Sequence, residues 1–113
     1  MATIAYLDID QGSDFTAEIT LENDDGTPIN LLGYNVYSQF RKSYSSTIGY
    51  TFNATVVDGA AGKIELKLLG IDSTLIRPGR YLYDIEIYNI VTSAKTRVIE
   101  GIVTINPEIT KIP

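Results

Sequence analysis

Asp84 and Glu86 are the first residues to weigh for chemistry. They alternate with Tyr83, Ile85 and Ile87, so on a strand they share one face at about 6–7 Å. That spacing suits the paired carboxylates of a sugar-cleaving site. Such a site also wants a deep cleft and aromatic platforms, and the chain has no Trp. The pair therefore reads as solvated face residues rather than an acid and its base. Asp8, Asp10 and Asp14 open like a calcium loop. A hand-type loop next requires a ligand at its fifth position, Gly at its sixth and Glu at its twelfth. Those positions hold Gly12, Ser13 and Ile19, so the segment is expected to be a polar link between two strands. Asp24-Asp25-Gly26 is a tight-turn signal before it is a cation site.

The missing residue types exclude more. With no His and no Cys, the chain lacks the materials for Ser-His and Cys-His triads, HExxH zinc sites, thiolate metal sites and disulfides. No GxxxxGK pattern is present to cradle a phosphate. Nine basic residues against 14 acidic ones give a net charge of −5, and the longest basic cluster is Arg41-Lys42. That balance argues against nucleic-acid binding. No apolar run is long enough to predict a membrane span. The start, Met1-Ala2-Thr3-Ile4, lacks the charged and apolar regions of a secretory leader. The expectation is a non-enzymatic protein without metal or cofactor.

The elements that carry these residues are strands. Ile, Val, Thr, Tyr and Phe make up 45 of 113 residues, and β-branched and aromatic side chains suit a pleated surface. Alternation of apolar and polar residues predicts seven strands, at about 3–9, 15–22, 34–41, 51–57, 63–68, 80–89 and 95–105. Turn residues punctuate them: Asp25-Gly26 and Pro28 after the second strand, Gly33 before the third, and Pro78-Gly79 before the sixth. At most one helical turn fits, near 71–76, capped by Asp72 or Ser73 and stopped by Pro78. Residues 1–113 are thus expected to form a single all-β domain, an immunoglobulin-like antiparallel sandwich. Tyr81 falls in the slot of a tyrosine corner, with Tyr83 two residues on, where antibody domains carry their second Cys.

The two outward faces are expected to differ. In this topology the second and fifth strands share one sheet, whose outward residues Thr16, Glu18, Thr20, Glu22, Lys63, Glu65 and Lys67 are all polar. The third, sixth and seventh strands share the other. Its outward positions include Tyr37, Leu82, Tyr88, Val98 and Ile102, mixed with Gln39, Asp84, Glu86 and Glu100. Five large apolar side chains on one face exceed what a soluble monomer usually exposes, which predicts an interface with another protein or a second copy. The Tyr- and Ser-rich segment 43–50, with Tyr44 and Tyr50, suits adaptable binding and supplies the alternative, a carbohydrate- or receptor-binding module.

A resemblance extends along nearly the whole chain. Gln11-Gly12-Ser13-Asp14-Phe15, Leu21, Asp25 to Leu31, Gly33-Tyr34, Phe40-Arg41-Lys42, Gly62-Lys63-Ile64, Leu75 to Ile85 and Gly101 to Thr110 follow one another in order. The sequence is similar to the N-terminal domain of phage baseplate upper proteins and to related small virion proteins of tailed phages. The resemblance implies a β-sandwich that assembles with other virion proteins, and with itself, into the tail, baseplate, neck or decoration apparatus. It implies no catalytic residues. In that family the domain usually heads a longer chain, so this one is expected to be either a separate subunit or a fragment.

Overall fold

The computed structural model describes residues 3–110. Strands β1 (Thr3–Ile4), β2 (Leu7–Asp10), β3 (Phe15–Thr20), β4 (Tyr34–Arg41) and β5 (Gly49–Thr51) are followed by β6 (Asn53–Asp58) and β7 (Lys63–Leu68). A one-turn helix, α1 (Gly70–Ser73), then leads to the long strands β8 (Gly79–Asn89) and β9 (Lys95–Asn106). One sheet runs β1-β9-β8-β4-β5, with β2 also on β9, and the other runs β3-β7-β6. The fold is an all-β sandwich, with its core between the two layers.

Among the described residues there are nine strands rather than the seven expected: the first expected strand is divided, and β5 joins Gly49 and Tyr50, from the segment expected to be a loop, to Thr51, which is split from the rest of its expected strand. The first breaks at Ala5 and Tyr6, yet Thr3 pairs with Ile99 and Leu7 with Val103 at the same offset. The Ala5 carbonyl presses onto Gly101, where a Cβ would collide with it, so β9 needs a glycine there. Both pieces run parallel to β9, whereas the sequence led us to expect antiparallel neighbours throughout. Alternation records which face a side chain takes and carries no information on strand direction.

The second division is at Phe52. β5 pairs with β4 in the larger sheet, while β6 pairs with β7 in the smaller one. Phe52 still donates its N–H to Ser38 (3.0 Å) as the chain changes layer. Its buried ring packs on Phe40 at 4.9 Å and Phe15 at 6.0 Å. Phe40 also meets Tyr81 edge-on at 5.5 Å, and Phe52 meets Tyr83 at 6.5 Å. This aromatic cluster fills one end of the core, and Ile64, Leu66, Ile85 and Val103 continue it. At about 25 cal/mol per Å² of apolar area removed from water, such burial is the main favourable term in folding.

The turn residues act as their chemistry dictates. The Asp25 carboxylate accepts from the Thr27 hydroxyl (2.6 Å) and N–H (3.0 Å), and these bonds hold its carboxyl below the usual range. Gly26 and Gly33 take φ of +87° and +80°, which other residues adopt at a cost. Pro28 bridges back to Glu22. The helical turn begins one residue earlier than expected, and neither Asp72 nor Ser73 caps it. The cap comes from a distant part of the chain: Asp14 Oδ1 accepts the Gly70 N–H at 2.7 Å, which leaves Ser73 buried and receiving the Gly12 N–H at 2.9 Å. The Asp8–Asp14 segment is therefore a link between the layers. Among the described residues, no group of three or more acidic side chains is placed to hold a metal ion.

The tie expected of a tyrosine corner is present. Tyr81 is buried and donates its hydroxyl to the Arg77 carbonyl at 2.5 Å. Pro78 and Gly79 turn the chain between them, with Gly79 at φ +140°. Tyr83 is equally buried, but its hydroxyl has no hydrogen-bond partner.

Candidate functional site

The outer face of the larger sheet is built by β4, β8 and β9, whose inward residues Val36, Phe40, Tyr83, Ile85 and Val103 fix the outward ones by alternation. Tyr37 stands opposite Glu86, and Leu82 opposite Ile102. Tyr88 lies between Asn35 and Lys95. Tyr37 is 56 % exposed, while Leu82, Tyr88 and Ile102 are half-buried.

Val98 does not join them. The β8–β9 register shifts between Ile85 and Glu86, which pair with Ile99 and Arg97 respectively. Val98 is the extra residue of this bulge, and its side chain packs against the core. A bulge inserts one residue and reverses the alternation beyond it, so an unbroken period assigned Val98 to the wrong face. Arg97 takes the outward position instead.

Arg97 organises the centre of this face. It binds Asp84 at 3.1 Å and Glu100 at 3.3 Å. Its own burial works to lower its pKa, but the attraction and hydrogen bonds of these two carboxylates outweigh it and raise the value. Asp84 is thus engaged with a guanidinium. The belt of Asp84, Glu86, Arg97 and Glu100 separates two apolar groups on the face. Tyr88 lies on one side, with Tyr37 at the belt's edge opposite Glu86, and the two tyrosines line an open groove of about 420 Å³ with Gln39, Asp84, Glu86 and Lys95. Leu82 and Ile102 lie on the other.

The second group is larger than the sequence reading made it. Tyr6 sits level with Ile102, by the constant offset of β1 and β2 against β9, and is 71 % exposed. Ile4, beside Glu100, is exposed too. The signal is present in the sequence, since alternation about the inward Leu7 and Ile9 sends Ile4 and Tyr6 outward. Leu82 and Ile102 pair across β8 and β9, and Tyr6, in the break between β1 and β2, extends their line along the face.

The two loop tyrosines part company. Tyr44 is exposed and joins Leu82 and Arg41 at an open groove of about 270 Å³ on the sheet face. Tyr50 belongs to β5, half-buried, with its ring 5.3 Å from Phe40 and 6.0 Å from Tyr81. It lines a different groove, at the end of the sandwich, with Lys42 and Arg77. Segment 43–50 is tied down by Arg41, which donates to the Ser46 carbonyl at 2.9 Å.

No family model matches the chain, and no curated protein matches it. Among solved structures it overlaps a family 123 glycoside hydrolase from Clostridium perfringens, described for glycolipid glycan hydrolysis. The TM-score is 0.42 and the identity 9 %, over 94 % of this chain and 23 % of that one. The chain thus spans about a quarter of the hydrolase's length, in an overlap too loose to bear on function. Among the described residues, no helix is long and apolar enough to cross a membrane.

Proposed function

We propose that this protein is a non-catalytic structural component of a tailed-phage virion, which docks onto a neighbouring virion protein or a second copy through the outer face of its larger sheet. The assignment to a virion rests on the ordered motifs that resemble the baseplate upper proteins. The docking role rests on one observation: apolar side chains gather on that face, the pair Leu82 and Ile102 with exposed Tyr6 at one side of the charged belt, Tyr88 at the other and Tyr37 at its edge. Aromatic anchors within a polar surround are the composition of an interface core. The belt gives the docking its register, because charges on a face that is covered must each meet a complement. Apolar area removed from water supplies the driving force, less the cost of association.

Light scattering over a concentration series tests the self-association arm, and co-sedimentation with purified particles tests the other. The Tyr88→Glu, Ile102→Glu double variant is expected to stay folded, because both positions face outward, and to lose whichever association the wild type shows. If wild type and variant are equally folded and behave alike in both assays, the face is not a docking surface.

A further inference from the structure

We propose that the groove between the β4–β5 loop and the foot of β8 binds the anionic group of an acidic saccharide, between Lys42 and Arg77 and beside the Tyr50 ring. This goes beyond the docking role and involves a different surface. The groove is open to solvent, with about 530 Å³ of space, and no Asp or Glu lines it. In a chain with 14 acidic and nine basic residues, an acid-free hollow holding two cations concentrates positive potential where the rest of the molecule is negative.

The two cations are also unspent. Among the described residues the ion pairs are those of Arg97 with Asp84 and Glu100, so neither Lys42 nor Arg77 is matched by a carboxylate. The Lys42 side chain and the Arg77 backbone each have a fixed contact with Tyr81. The Lys42 ammonium lies 4.9 Å from the centre of the Tyr81 ring, an attraction that fixes its position without neutralising it. The Arg77 backbone is anchored by the Tyr81 hydroxyl, and its guanidinium is close enough to oppose the rise that burial and Tyr50 impose on the Tyr81 pKa. A guanidinium fork and an ammonium together suit a carboxylate or phosphate. The rest of the lining suits the sugar: Ser45 and Thr47 offer hydroxyls, and Tyr50 a half-buried ring, flat and apolar with a polar tip.

Titration of the full chain, followed by NMR shifts, separates the contributions. The probes are trigalacturonate, its neutral methyl ester and glucose 6-phosphate. We expect at least one anionic probe to bind, with affinity that falls as salt is raised, and the ester to bind about tenfold more weakly or worse. Which anion binds identifies whether carboxylate or phosphate is preferred. Lys42→Gln and Arg77→Gln, both on exposed side chains, are expected to melt like wild type, to keep its light-scattering behaviour and to bind at least about fivefold more weakly. The proposal is overturned if neither anion binds up to about 10 mM, if the ester binds as tightly as the acid, or if both charge variants bind like wild type.

Discussion

On the outer face of the smaller sheet, Thr16 stands opposite Lys67, Glu18 opposite Glu65 and Thr20 opposite Lys63. On the outer face of the larger sheet, Leu82 stands opposite Ile102 and Tyr37 opposite Glu86. The first face tolerates two carboxylates side by side because water screens them. The second keeps its carboxylates around a guanidinium and places aliphatic and aromatic groups at either side. Strand formation demands neither arrangement, since both sheets satisfy alternation equally well through their inward residues. The difference shows that folding leaves the outward composition of a sheet free to vary, and that the two sheets of this protein differ in it.

If the sheets differ only outside, a truncation made inside should destabilise the protein from either layer. Phe40→Ala from the larger sheet and Leu66→Ala from the smaller should each destabilise by about 2–5 kcal/mol, since both residues are fully buried and each truncation leaves a cavity. Urea unfolding measures both, and a loss on one side only would show that the layers do not share one core. The next effect sets two tyrosines of β8 against each other. Tyr81→Phe breaks the bond to Arg77 and should cost about 1–2 kcal/mol, whereas Tyr83→Phe removes a hydroxyl that is buried without a partner and should be neutral or stabilising by about 1 kcal/mol. Burial raises the Tyr83 pKa to about 12, above the unfolded value of about 10. Its neutral form thus supports folding fully below about pH 10, and that support is lost as pH rises toward 12. Alkaline titration of the Phe variant should show a shallower decline in that window. The smallest effect belongs to the hydrophilic face: Glu65→Gln relieves the repulsion from Glu18 and should raise stability by a few tenths of a kcal/mol, about 0.2–0.5. Calorimetry at low salt resolves it, and a larger gain would mean that this face is less well screened than its exposure implies.

The sequence showed which way side chains point far better than which strands they belong to. β4 and β7 match the alternation residue for residue, and β8 begins one residue early. Phe52, Ala54 and Val56 all face the core, as the alternation within the expected strand at 51–57 requires, yet the change of layer at Phe52 leaves no trace in the pattern. Both layers turn their apolar side to the same core, so a chain that passes from one to the other keeps its period. The Val98 bulge hid for the opposite reason, since it interrupts a period that the apolar residues on either side make look continuous. At the sheet face, Tyr37, Leu82, Tyr88 and Ile102 were legible by alternation alone, and Ile4 and Tyr6 could have been. The grooves were not. The grouping of Lys42 with Arg77 depends on β4 ending beside the start of β8, and the separation of Tyr44 from Tyr50 on where the β4–β5 loop turns. Chain spacing encodes neither.

The crossing at Phe52 has a mechanical consequence. A sandwich whose layers are joined only by loose outer connections can be peeled, one leaf coming away while the other stays intact. Here a single residue belongs to the hydrogen bonding of one leaf, leads straight into the other, and buries its ring between them. Tension applied to either leaf reaches the other through one taut peptide, so the module should yield as one piece at a single rupture force.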